Sequence, residues 1–116
     1  MDTQPPKTFT ITKKISLTQE DIDNIMVSAL EGGIGYWATE AEVKKQPEEP
    51  YTYASEVISR DGSLKIYDAE EDKWHILTLK KFLKGVAKAE VDLSDVDAPA
   101  ADTIIQEALF GKQVYA

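Results

Sequence analysis

The sequence predicts an α+β fold, an antiparallel β-sheet meander of about four to five strands packed against three helices. Three observations lead there. Apolar residues recur at helical spacing in three windows, they alternate with polar ones in the stretches between, and capping and turn residues mark the boundaries.

Residues 1–7, with Pro5-Pro6, read as a disordered N-terminal start, which leaves 8–116 as a single α+β domain. Thr8 to Leu17 reads as a strand with Phe9, Ile11 and Ile15 on one face and Thr10, Thr12 and Lys14 on the other. Lys13 interrupts the apolar face, which suits an edge strand. Thr18 is a good N-cap, and Glu20 and Asp21 follow in the first turn, where the helix dipole favours negative charge. Ile22, Ile25, Met26, Ala29 and Leu30 then form one stripe, so a helix is expected over Gln19 to Glu31, closed by Gly32 in the left-handed conformation.

Past the glycines the period becomes two. Trp37, Thr39, Ala41 and Val43 point one way and Tyr36, Ala38, Glu40 and Glu42 the other, a half-buried strand with an acidic face. Lys44 to Pro50 is a polar loop. Tyr53 to Ser59, Ser63 to Asp68 and Lys73 to Leu77 read as a meander, with Asp61-Gly62 and Ala69 to Asp72 as its turns. Ala54, Val57 and Ile58 also fit a helical stripe, so Tyr53 to Ile58 is open between strand and short helix. Thr78 caps a second helix with the stripe Leu79, Phe82, Leu83, Val86 and Ala87, and Gly85 within it points to close packing. A third helix starts near Ala98-Pro99, carries Ala101, Ile104, Ile105, Ala108 and Leu109 inward, and ends at Gly111. Val114-Tyr115 is compatible with a short last strand.

The chain has 116 residues, 42% hydrophobic and 29% charged, a composition that folds rather than stays disordered. It contains no cysteine, which removes disulfides, thiolate metal sites and thiol nucleophiles together. No apolar run approaches the roughly 20 residues that span a bilayer, and Met1 to Pro6 lacks the pattern of a signal peptide. The lack of cysteine fits a reducing compartment. The net charge is −8, from 21 acidic and 13 basic residues, and Arg60 is the one arginine. An acidic, arginine-poor chain is a poor match to nucleic acid; the charge reads first as solubility and second as an acidic surface for a basic protein partner.

Gly32-Gly33-Ile34-Gly35 has the wrong polarity for a phosphate loop, because its glycines follow a helix instead of opening one. His75, the one histidine, cannot build a usual zinc site, and no nucleophile-elbow pattern flanks the serines. It reads as a surface strand residue. Asp68, Glu70, Glu71 and Asp72 read as solvated turn charges, without the glycine and terminal glutamate of a calcium loop. No metal, cofactor or catalytic residue is expected. The candidate contacts are the acidic face Glu40 and Glu42, the acidic turn Asp68, Glu70, Glu71 and Asp72, the outward aromatics Tyr36 and Tyr67, and Arg60 as the sole guanidinium.

Four segments, Ala29-Leu30-Glu31-Gly32-Gly33-Ile34-Gly35-Tyr36-Trp37, Tyr53-Ala54-Ser55-Glu56-Val57-Ile58-Ser59-Arg60, Leu77-Thr78-Leu79-Lys80-Lys81-Phe82-Leu83-Lys84-Gly85 and Asp102-Thr103-Ile104-Ile105-Gln106-Glu107-Ala108-Leu109-Phe110-Gly111, resemble small proteins encoded in phages and prophages of gut-type bacteria. That group has no established activity, so the resemblance brings no functional residue with it. It implies a phage context and the cytoplasm of an infected bacterial host. The expectation is a non-enzymatic accessory protein that binds and inhibits a host antiviral defence component, of anti-CRISPR type, by occluding a basic surface. The partner is a host protein, with no direct nucleic acid and no membrane, and a homo-oligomer is open. The alternatives are a small-ligand binder that sequesters a nucleotide immune signal and a phage housekeeping or assembly adaptor.

Overall fold

Three strands, β1 (Ala38–Lys45), β2 (Ser63–Asp68) and β3 (Lys73–Leu77), form an antiparallel sheet in the order β1-β2-β3. Helices α1 (Gln19–Ser28), α2 (Leu79–Lys88) and α3 (Ala98–Phe110) cover one of its faces. The structure is a computed structural model that describes residues 5–116, so the first four residues of the expected disordered start lie outside the described residues. The α+β class and the three helices agree with the sequence expectation; the sheet has three strands, not four to five. Among the described residues, no helix is long and apolar enough to cross a membrane.

The alternation in β2 decides which face is covered. Leu64 and Ile66 are fully buried, while Lys65 and Tyr67 point to the opposite, open face. Trp37, Phe82, Met26, Ile104 and Ile105 complete the core beneath the sheet.

Each missing strand has a physical reason. Thr8 to Leu17 finds no neighbour to complete a ladder, and Phe9, Ile11 and Ile15 are 85%, 77% and 64% exposed. Tyr53 to Ser59 forms two 3₁₀ turns, Ala54–Glu56 and Ile58–Arg60. The helical alternative therefore describes it better: Val57 and Ile58 are both fully buried, and strand alternation would send adjacent residues to opposite faces. Asp61, at φ 64°, ends the second turn, so Asp61-Gly62 leads into β2 and is not a hairpin turn. Val114 and Tyr115 do not pair with a strand; both backbone N–H groups donate to Gln106 Oε1, at 2.7 and 2.8 Å.

Thr18 and Asp21 form a reciprocal cap at the start of α1, with bonds of 3.0 and 2.9 Å. The helix ends at Ser28, before the expected Glu31, and widens into a π turn over Ala29–Gly33, where Ile34 N–H donates to Ala29 O at 3.0 Å. Gly32 does not adopt the left-handed conformation. The glycine requirement sits at Gly33 instead, where a Cβ would stand 2.6 Å from the Ala98 carbonyl oxygen at the start of α3. In β1 the register shifts between Ala38 and Glu40, so Ala38 faces Asp68, Glu40 faces Tyr67 and Thr39 is an extra residue. The bulge turns Ala38 inward and Thr39 outward, the reverse of strict alternation.

Thr78 caps α2, accepting from Lys81 N–H at 3.2 Å. The buried stripe of α2 is Phe82, Gly85 and Val86; Leu83 and Ala87 are exposed. A Cβ on Gly85 would lie 2.5 Å from Ile104 O and 2.8 Å from Ala108 Cβ, so the glycine lets α2 lie directly on α3. Helix α3 ends at Gly111, φ 72°, as the pattern predicts. Asp102 and Gln106 are buried beside its apolar stripe.

Candidate functional site

The strand register gathers part of the expected contact set on the open face of the sheet. Glu40, Tyr67 and Trp74 form one cross-strand row, and Glu42, Lys65 and Ile76 form the next. Tyr67 and Trp74 meet with ring centroids 5.1 Å apart and planes tilted by 55°. Lys65 Nζ lies 4.6 Å from the Trp74 ring centroid and 3.1 Å from Glu42 Oε2, so one cation serves both neighbours. The Tyr67 hydroxyl donates to Asp72 in the β2–β3 turn. The result is an aromatic centre, with Trp74 38% exposed, bordered by Glu40, Glu42 and Asp72. Trp74 and Lys65 belong to this face but were not among the expected contacts. The signal was there: Lys65 and Tyr67 alternate with Leu64 and Ile66, and the short turn sets Trp74 opposite Tyr67.

Asp68 is elsewhere. Its residue type and position in the hairpin suggested a solvated charge, but it is fully buried on the inner face. Its Oδ2 accepts from the Tyr115 hydroxyl at 2.7 Å and lies 3.3 Å from His75 Nε2. Its Oδ1 accepts from the backbone N–H groups of Glu70 and Glu71 at 3.0 and 3.2 Å. Burial pushes the carboxyl pKa up, but the bonds from Tyr115, Glu71, His75 and Glu70 outweigh it and hold the pKa below its ordinary value. The Tyr115 pKa is pushed well up, first by burial and then by the Asp68 carboxylate. His75 is correspondingly not a surface residue: its side chain is 15% exposed and packs edge-on against Phe110, 4.9 Å between centroids. Glu70 and Glu71 remain exposed at the rim.

Asp68, Glu71 and His75 bring three potential ligand atoms within 4.8 Å of one another. The sequence expectation of no metal site did not foresee this grouping, which the hairpin creates by folding His75 back beside Asp68. Both Asp68 oxygens already hold the turn and Tyr115, so the cluster's visible work is structural.

A second carboxylate organises the other end of the molecule. Asp102 Oδ2 accepts from the Tyr36 hydroxyl at 2.5 Å, and Oδ1 accepts from Trp37 Nε1 at 2.8 Å and Gln106 Nε2 at 2.9 Å. Trp37 is fully buried, as expected. Tyr36 is half exposed, also as expected, but its hydroxyl is anchored; burial, then the Asp102 bond and charge, raise its pKa to about 12. Beside it lies a groove of about 430 Å³ lined by Gly33, Tyr36, Pro99, Asp102, Thr103 and Gln113 among others.

Arg60 is not free for an anion. Its Nη1 donates to Asp23 Oδ2 at 3.2 Å, Glu56 O at 3.0 Å and Ser59 Oγ at 3.2 Å, and its Nε donates to Pro50 O at 3.1 Å. It ties the 3₁₀ segment to α1 and to the loop after β1. The expected contacts therefore divide: Glu40, Glu42, Tyr67 and Asp72 share the open sheet face, Glu70 and Glu71 stand at its turn, and Tyr36, Arg60 and Asp68 are structural anchors elsewhere. No family model matches the chain, and neither a curated protein nor a solved structure shows significant similarity to it.

Proposed function

We propose that this is a non-enzymatic binding protein that uses the open sheet face to cover a basic surface on a partner protein. The observation that carries the reading is the exposed Trp74 packed on the half-buried Tyr67, inside the acidic border of Glu40, Glu42 and Asp72. Aromatic anchors with a polar rim are what protein interfaces use, and an acidic rim selects a basic partner. The resemblance to phage-encoded proteins points to a host antiviral defence component as the partner, with CRISPR interference the first system to test and the infected cell's cytoplasm the place. The test is co-purification of tagged protein from a bacterium carrying such a system, alongside phage survival. Wild type is expected to retain a defence component and raise survival; Trp74→Ala/Glu40→Lys is expected to lose both while keeping its circular dichroism spectrum. Unchanged survival with no retained partner, or a double variant as active as wild type, overturns the reading.

The Tyr36 groove favours a second reading, a small-ligand binder. Its lining includes the Asp102 carboxylate and neither lysine nor arginine, which suits a neutral or cationic ligand better than a nucleotide phosphate. Calorimetry with cyclic nucleotides tests the nucleotide version; stoichiometric uptake would favour it over a protein partner. A protein with neither ligand nor defence phenotype would fit an assembly adaptor.

A further inference from the structure

The fourth strand that the sequence pattern predicts is present as an unpaired arm. Residues 5–16 are exposed, and among the described residues no hydrogen bond ties 5–17 to the rest of the chain. The arm's Phe9, Ile11 and Ile15 repeat at strand period, a pattern that gains nothing in water and much on a sheet edge.

We infer that Thr8 to Ile15 adds antiparallel to the free edge of β1 in a second copy of this chain, in reciprocal exchange. Two edges are open, and they differ. On β3, Lys81 Nζ already donates to the Ile76 carbonyl at 2.9 Å, Lys73 is the first residue of the strand and Lys80 follows it. Lysine on an edge blocks pairing and repels a basic arm. Beside β1 runs a groove of about 250 Å³, with Leu30, Ile34, Ala38, Ala41 and Ala54 among its lining. Antiparallel pairing with Lys13 opposite Thr39 gives Ile11 an apolar seat there, beside Ala41, and sets Phe9 further along the edge, opposite Val43.

Charge favours the same match. The arm carries Lys7, Lys13 and Lys14 with no acidic residue from Pro5 to Gln19, whereas the whole chain has a net charge of −8. Antiparallel pairing brings Lys13 and Lys14 toward the Glu40 end of β1 and away from Lys44 and Lys45. It also decides between the chain's own arm and a partner's. Gln19 Nε2 donates to Glu49 Oε2 at 3.2 Å, so the arm leaves the body beside the loop that follows β1. Doubling back from there, its own arm would run parallel to β1, the less stable pairing. A second copy offers the antiparallel one, and mutual exchange closes a two-fold dimer.

Sedimentation of the full chain over a concentration series tests this, together with two variants. Wild type is expected to dimerise. Phe9→Asp/Ile11→Asp is expected to weaken dimerisation by about 100-fold or more, since each arm loses two buried apolar side chains, with an unchanged circular dichroism spectrum. The chain has no cysteine, so Lys13→Cys and Thr39→Cys can be placed in separate populations, mixed and treated with a short bismaleimide. A cross-link between the two populations is expected. A monomer at all concentrations, a dimer that survives the double aspartate variant, or no cross-link between the two mixed populations overturns the exchange.

Discussion

Tyr115 donates its hydroxyl to the buried carboxylate of Asp68 at 2.7 Å, joining the segment after α3 to the β2–β3 hairpin. The same ring lies on Trp37, 5.2 Å between centroids and 21° from parallel, so one residue closes the core by stacking and by hydrogen bonding. Tyr115→Phe keeps the stack and removes the bond to a charged acceptor. The expected loss is about 1.5–3 kcal/mol, read as a lower urea midpoint at neutral pH with an unchanged slope.

The same bond shapes the dependence of stability on pH. The folded Asp68 pKa is lowered, so its contribution is present above the unfolded carboxyl value of roughly 4 and is lost as pH falls through the lower folded value. The tyrosines act at the other limit. Tyr36 is raised to about 12 and Tyr115 is also raised, so their contribution is present below the unfolded phenol value of roughly 10 and is lost as pH rises through the folded ones. Urea midpoints across the pH range should therefore fall at both extremes, and Asp68→Asn should show a shallower acid limb than wild type.

Asp102 receives Tyr36, Trp37 and Gln106 together, so its loss should cost more than the loss of any one donor. Asp102→Leu leaves the buried Trp37 indole N–H without its acceptor, a penalty of about 1–3 kcal/mol before the other two bonds are counted. Tyr36→Phe, which removes a single donor from a half-exposed ring, should be milder. Denaturation midpoints rank the two, and a change in tryptophan emission in Asp102→Leu reports on Trp37.

Local chemistry was the legible part of this sequence. The Thr18 and Thr78 caps, the Gly111 terminus, β2, β3 and the three helices all follow from capping residues, spacing and alternation within a few residues of one another. What escaped depends on distant partners. Asp68 reads as a turn carboxylate because Tyr115, which buries and satisfies it, is 47 residues away. Asp102 and Gln106 break the apolar stripe of α3 for the same reason: Trp37 and the backbone of Val114 and Tyr115 give them their bonds. Thr8 to Leu17 has the pattern of a strand, but the open β1 edge could take it within its own chain only in the parallel sense, and nothing local in the sequence shows that. On the open face, strand periodicity was readable while the register that joins Glu40, Tyr67 and Trp74 was not, because the Thr39 bulge shifts it.

Gly85→Ala sets two principles against each other. Helix propensity alone favours alanine by about 1 kcal/mol. The α2–α3 contact opposes it, since the new methyl would meet the Ile104 carbonyl oxygen at 2.5 Å, and backbone cannot rotate aside as a long side chain can. Overpacking of this kind costs about 1–3 kcal/mol, so the variant should melt below wild type. A variant that melts higher would mean that the two helices do not lie this close.

Substitutions on the open face should separate binding from folding. Trp74 is 38% exposed, and its contacts with Tyr67 and Lys65 are surface contacts. Trp74→Ala removes an aromatic pair and a cation–π contact, so its expected cost to stability is about 1–2 kcal/mol. Glu40→Lys changes the sign of an exposed charge without opening a cavity and should shift stability by no more than about 0.5 kcal/mol. Partner retention should respond differently: losing a central aromatic anchor typically costs an interface about 2 kcal/mol or more, roughly thirtyfold in affinity. The Glu40 reversal should weaken association with a basic partner most at low salt, where the charges are least screened. The proposed interface requires affinity to fall far more than stability in the Trp74 variant, and the Glu40 effect to shrink as salt is added. Equal losses in affinity and stability would trace both to the fold and remove this face as the contact.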